Sequence, residues 1–248
     1  MDDLSPVLSI QGLAKSFSTP VFRDLSLEIK SQQSVALVGA NGAGKSTFIK
    51  IILGLVGADS GSVKIWGQDP RNSRVLERVG YLPEVSGFWP ELSAREMLFF
   101  ASKFTDRNQE ELVERRENLL SVLGLKNRGA RRMDGYSKGM LQRSGLANLL
   151  LHDPEFLVLD EPMSGLDPRA QAKLRDILSR LRERGKTLLI SSHSLEDIQK
   201  LCDRVIVLEK GAKVLDGETS QVLSELERKY QSSEPWDEDP LGDDSGFF

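Results

Sequence analysis

The sequence predicts an α/β fold, a mostly parallel sheet covered by helices, with an N-terminal antiparallel β subdomain and an inserted helical subdomain. Three observations predict it. The short apolar runs SVALVG (34–39), FLVLD (156–160), TLLIS (187–191) and RVIVLE (204–209) have the continuous hydrophobicity of strands buried on both faces. Amphipathic helical patterns at 169–184 and 194–201 separate the later runs, which is the alternation of a parallel sheet. From about Ser93 to Leu151 the chain turns to Leu, Glu, Arg and Lys at helical spacing, so this stretch is read as a lobe inserted into the sheet.

The remaining elements follow in order. Residues 7–13 (VLSIQGL) and 21–29 (VFRDLSLEI) alternate apolar and polar side chains, as strands with one buried face do, and form an antiparallel edge. SVALVG stops at a glycine-rich turn, and Phe48, Ile49, Ile51, Ile52 and Leu53 then mark a helix. Val63 and Ile65 lie in a strand between turn residues, and RVGYLP adds a short strand ending at Pro83. In the lobe, ELSAREML opens a helix, and Leu119, Leu120, Val122 and Leu123 are expected to form a core-facing stripe. KGAKVLDGE reads as a hairpin or final strand and SQVLSELERKY as a short helix. The expected organisation is one domain over 1–230, with core segments at about 1–84 and 152–217, the lobe at about 85–151, and an acidic, mobile tail at 231–248.

Composition narrows the function classes. The 248 residues are 39% hydrophobic and 28% charged, values of a chain that folds and dissolves. The most apolar stretch, FIKIILGLVGA, contains Lys50 and two glycines, well short of the roughly eighteen apolar residues of a membrane-spanning helix. The N-terminus MDDLSPVLSI begins with acids and does not read as a secretory signal, and a single cysteine, Cys202, fits a reducing compartment; the expected location is the cytoplasm. Acids outnumber bases 37 to 33, but the last fifteen residues hold six acids and no base, so the preceding body carries 33 bases against 31 acids. That nearly neutral body gives no electrostatic footprint for nucleic acid.

Residues 39–46, GANGAGKS, match G-x-x-x-x-G-K-[ST] and sit between a predicted strand and a predicted helix. Gly39, Ala40, Asn41, Gly42, Ala43 and Gly44 can curl their backbone N–H groups around phosphate oxygens while the helix N-terminus faces the same charge. Lys45 would reach the β- and γ-phosphates, Ser46 would offer a hydroxyl to Mg²⁺, and Thr47 is a second phosphate contact. FLVLDEP then delivers Asp160 to the carboxyl end of a buried strand, the edge where open α/β sheets bind ligands. Asp160 would hold Mg²⁺ through water, and Glu161 would stand beside the γ-phosphate as base or orienter of an attacking water. These features describe a P-loop NTPase core of the RecA-like kind.

Between these two elements, YSKGMLQR (136–143) resembles the signature motif of ABC-type ATPases. The resemblance extends over nearly the whole chain: SGLDP (164–168) is similar to the D-loop, His193 in ISSHSLED to the switch histidine, and Phe17 in KSFSTPVF to the aromatic residue that stacks on adenine. It implies ATP and Mg²⁺ as ligands and a head-to-tail homodimer of ATP-binding subunits. In that dimer Ser137 and the Gly139 backbone would contact the γ-phosphate held by the opposite subunit, Asp167 would reach across the dimer, and His193 would hydrogen-bond the γ-phosphate. Two departures from the commoner pattern stand out. Glu84 in GYLPE occupies the place of a glutamine that touches Mg²⁺ and attacking water, and Lys138 and Met140 replace a glycine and a glutamine.

With YLPE and YSKGM together, the chain resembles separately encoded exporter ATPases. That resemblance implies a transmembrane permease as partner, docked near residues 84–104 where Phe88, Trp89, Phe99 and Phe100 lie, and a position on the cytoplasmic face of the membrane. The alternative is a soluble ABC-type ATPase acting on a ribosome or DNA complex; relatives of that kind fuse two such domains or carry a long coiled coil, neither of which this sequence displays.

Overall fold

A computed structural model describes residues 6–84, 89–105 and 107–231. The expected tail from Ser232 onward and Phe88 lie outside the described residues. Strands β1 (Pro6–Ser16) and β2 (Pro20–Lys30) pair antiparallel, and the chain then enters β3 (Ser34–Val38), turns through the glycine loop and forms α1 (Lys45–Ile52). β4 (Ser60–Ile65) returns to the first sheet beside β1, giving the order β2-β1-β4. A short α2 (Ser73–Leu76), capped by the Asn72 side chain, leads into β5 (Val79–Leu82).

Among the described residues, the α-helices α3 (Ala94–Ala101), α4 (Gln109–Val122) and α5 (Lys138–Leu151) follow before the sheet resumes. β6 (Phe156–Asp160), α6 (Pro168–Glu183), β7 (Thr187–Ser191), α7 (Leu195–Leu201), β8 (Arg204–Glu209), β9 (Ala212–Glu218) and α8 (Thr219–Gln231) complete the described chain. The second sheet has the order β5-β6-β7-β3-β8-β9. Its pairs are parallel except β8 with β9, which form an antiparallel hairpin.

Every residue of β3, β6 and β7 is buried, because this sheet is covered on both faces. Alternate side chains of each strand enter different cores. Val35, Leu37, Phe156, Val158, Ile206 and Leu208 pack with α1 and the antiparallel sheet. Ala36, Val38, Leu157, Leu159, Val205 and Val207 pack with α3 to α8. The first of these cores fixes α1 between the two sheets, with Phe48 meeting Phe22 edge-on at 6.5 Å between ring centroids. The glycine loop is thereby anchored at both ends by fully buried structure.

The lobe corrects one expectation. Leu120 and Leu123 are buried and Leu119 is partly buried, but Val122 is 70% exposed. At about 100° per residue, Val122 points roughly 110° away from the centre of the face shared by the three leucines, so apolar character alone misplaced it.

Candidate functional site

The carboxyl ends of β3, β6 and β7 open onto a cavity of about 660 Å³. Ala40, Asn41, Gly42, Gly44, Lys45, Ser46 and Thr47 line it from the loop and helix; Asp160 and Glu161 line it from the end of β6, His193 from beyond β7, and Glu84 from beyond β5. Val21 and Ser164, which no sequence pattern singles out, complete the lining. Val21 arrives there because β2 crosses the turn between β8 and β9, a contact between segments far apart in sequence.

The loop has the geometry of an anion cradle. Gly44 stands at the N-cap of α1 with φ +104°, a conformation that disfavours side chains, and a Cβ there would lie 2.8 Å from the Phe22 ring. No side chain caps α1 and no acid occupies its first turn, so its N-terminal N–H groups and positive end face the cavity rather than an internal partner. Ala43 is buried and its N–H donates to the Ala40 carbonyl, tightening the loop. Lys45 donates to the carbonyls of Gly39 and, at 3.3 Å, of Ala40. Burial pushes its ammonium below the ordinary lysine value, against the opposing pull of Glu161, Asp160 and Glu84. An ammonium desolvated among three carboxylates is suited to a polyanionic ligand.

The two carboxylates at the end of β6 are organised by Ser191 at the end of β7. The Ser191 hydroxyl, fully buried, donates to Asp160 Oδ1 at 2.6 Å and accepts the Glu161 N–H at 2.8 Å. Parallel pairing of Asp160 with Ser191 puts these residues side by side. Glu161 has φ +43°, a left-handed conformation costing of order 1–3 kcal/mol in a residue other than glycine. Ser191, the Ser164 N–H on the Glu161 carbonyl at 3.1 Å, and His193 hold it there.

His193 Nδ1 lies 3.0 Å from Glu161 Oε2. An ionised carboxylate only accepts, so the ring proton in this pair belongs on Nδ1. Burial raises the Glu161 carboxyl above the ordinary range, opposed by His193 and Lys45; burial likewise raises Asp160, opposed mainly by the Ser191 hydroxyl. The donor set suits Mg²⁺: Ser46, Asp160 and Glu84 offer hard oxygen atoms on one cavity, and Asp160 commits only Oδ1 to Ser191.

Other residues singled out in the sequence lie outside this cavity. Phe17 is 61% exposed at the end of the β1–β2 turn region, with the Lys15 ammonium 5.1 Å from its ring centroid. Ser137 caps α5, accepting the Met140 N–H at 3.3 Å, and Gly139 is the second residue of that helix. Asp167 caps α6 by accepting the Ala170 N–H at 2.9 Å. Ser137 and Asp167 are exposed, and both perform a local capping role within their own chain.

A parallel sheet with a glycine loop, an uncapped helix start and a paired carboxylate at its carboxyl edge defines a P-loop nucleotide-binding domain. The chain belongs to the ABC transporter family, whose profile matches residues 22–164, more than half of its length. It is 36% identical over 222 residues to an ABC transporter ATP-binding protein of Synechocystis sp., a match that takes in 89% of this chain and 63% of that relative's length. It is 34% identical to the Nod factor export ATP-binding protein I of Bradyrhizobium diazoefficiens, over 88% of this chain and 72% of the relative. Identity is also 34% to the bacitracin transport ATP-binding protein of Bacillus licheniformis, over 92% and 74%. Among solved structures, an ATP-binding subunit of an ABC transporter superposes with a TM-score of 0.83 at 28% identity, covering 91% of this chain and 98% of the other. No helix among the described residues is long and apolar enough to cross a membrane.

Proposed function

We propose that the chain is the ATP-hydrolysing subunit of an ABC exporter, driving a separate transmembrane permease. The observation that carries this reading is the convergence of Lys45, Asp160, Glu161 and His193 on one cavity with the glycine loop. The loop N–H groups and Lys45 bind the phosphates, with Thr47 as a further contact. Ser46, Glu84 and, through water, Asp160 would hold Mg²⁺, which when bound would neutralise phosphate charge. Glu161 accepts the proton of an attacking water, a role favoured by a carboxyl raised toward neutrality, and His193 orients that carboxylate while offering a hydrogen bond to the γ-phosphate. Phe17, exposed in the turn between β1 and β2, supplies a ring for the adenine.

Ser137, Gly139 and Asp167 are assigned to a second copy's nucleotide in a head-to-tail homodimer; the exposure of Ser137 and Asp167 and the position of all three at helix starts outside their own cavity suit contact in trans. ATP bridging two subunits favours closure, and its hydrolysis removes the bridge. The permease docks near Trp89, Phe99, Phe100 and Phe104, whose exposed rings (67%, 45%, 49% and 89%) support the reading. Export is the direction named for the Nod factor relative, and this carries over to the present chain as part of the proposal.

Affinity purification from detergent-solubilised membranes of the source cells, with ATP present, tests the assignment. A stoichiometric partner with several transmembrane helices is expected. Recovery with ribonucleoprotein or DNA-associated chains alone would overturn the transport reading.

A further inference from the structure

Lys138 is the first residue of α5, a poor place for a lysine because the helix N-terminus is already the positive end. By contrast α3, α4 and α7 carry Glu or Asp in their first turns. The lysine side chain has a different use. Its stem lies on the backbone of Gly165, where φ is +66° and an added Cβ would meet Lys138 Nζ at 2.6 Å and Cδ at 2.8 Å. Its ammonium donates to Ser164 Oγ at 3.4 Å. A second contact runs beside it: a Cβ on Gly139 would rest 3.4 Å from Leu166 Cδ2. The start of α5 and the loop between β6 and α6 therefore touch at two points, one polar and one apolar.

That loop is short and leads directly to the chemistry. Ser164 lines the nucleotide cavity together with Glu161 and His193, and its N–H donates to the Glu161 carbonyl at 3.1 Å. Lys138 itself does not line the cavity. We propose that Lys138 is a positioning residue: by fixing Ser164 and the Gly165 backbone it sets the turn that holds the left-handed Glu161, and so links the start of α5 to the hydrolytic pocket of the same chain. This inference rests on the ATPase reading above. It gives α5 two faces of action, Ser137 and Gly139 toward a partner's nucleotide and Lys138 toward its own Glu161, so that engagement of one site is felt in the other.

The test uses the full-length chain carrying Lys138→Met, Lys138→Arg, Ser164→Ala and the double variant Lys138→Met with Ser164→Ala. Loss of one charge-assisted hydrogen bond at an exposed site should lower kcat about three- to tenfold. KM for ATP should stay within about twofold in Lys138→Met, since Lys138 lies outside the cavity. Ser164→Ala should match Lys138→Met, the double variant should lose no more than either single one, and Lys138→Arg should restore most of the rate. Amide hydrogen exchange over residues 161–167 should quicken in Lys138→Met and not in Lys138→Arg, whether or not ATP turns over. Wild-type kcat in Lys138→Met, losses that multiply in the double variant, or unchanged exchange would each overturn the inference. A wild-type chain that does not hydrolyse ATP would overturn the ATPase reading instead, and the exchange comparison would still decide the link between Lys138 and the loop.

Discussion

Ser191→Ala probes the site at a residue that touches no proposed ligand and yet organises both carboxylates. The substitution removes the donor to Asp160 Oδ1 and the acceptor of the Glu161 N–H, with Ser191 itself fully buried. A hydrogen bond to a charged group contributes about 1.5–3 kcal/mol, and a buried N–H left without a partner costs about 1–3 kcal/mol. Taking the lower ends, the variant should lose about 2.5 kcal/mol, or roughly 5–10 °C in Tm for a chain of this size.

The loss should also depend on pH in a definite direction. The Ser191 hydroxyl favours ionised Asp160, while burial raises the Asp160 carboxyl overall; without the hydroxyl it rises further. The stability gap between wild type and variant should therefore widen as pH rises from the raised value of the wild-type carboxyl through the still higher value of the variant's, and narrow below both, where the folded carboxyl is neutral in each. Urea titrations at several pH values measure the gap. A loss under about 1 kcal/mol, or a gap that shrinks with rising pH, would refute the assignment of Ser191 as the shared partner.

Glu161→Gln should slow ATP hydrolysis about 10²–10³-fold in a steady-state phosphate-release assay while retaining ATP binding, and wild-type turnover would remove Glu161 from the base role. The same variant should be more stable than wild type near neutral pH, because burial raises the Glu161 carboxyl and the folded chain must keep that charge desolvated. The contribution of a raised carboxyl is most favourable below its unfolded value and declines as pH rises through the folded one, so the stability advantage of glutamine should grow along that window, as calorimetry across pH can read. Gly44→Ala forces a side chain into φ +104° and against Phe22, costing at least about 1–3 kcal/mol by thermal melting, and should abolish ATP binding in an equilibrium titration. Cys202 is buried and its thiol is pushed up to about 12, so iodoacetamide at pH 8 should leave the native chain unmodified and label it only after unfolding; rapid native labelling would contradict the packing.

Local patterns were sufficient wherever one element carries its own signal. The strands β3, β6 and β7 are continuous apolar runs because the sheet is covered on both sides, and that burial writes hydrophobicity directly into consecutive residues. GANGAGKS and FLVLDEP are legible for the same reason: a phosphate cradle needs contiguous backbone N–H groups, and a carboxylate at a strand end follows its strand in sequence. Val122 shows the limit of reading apolarity without angle, since a single residue of offset turned it from the leucine face to solvent.

What the sequence by itself determined, then, is the fold class, the phosphate loop and the order of the chemistry-bearing segments, all of them properties of residues close together in the chain. Only the tertiary structure decided that Ser191 bridges Asp160 and Glu161, that Val21 and Ser164 reach the cavity, and that Lys138 rests on Ser164 and Gly165. Each of these depends on the lateral order of parallel strands or on one loop crossing another. A serine, a valine and a lysine have many roles open to them, and the pairing that selects one is made between segments tens of residues apart, where no local period records it.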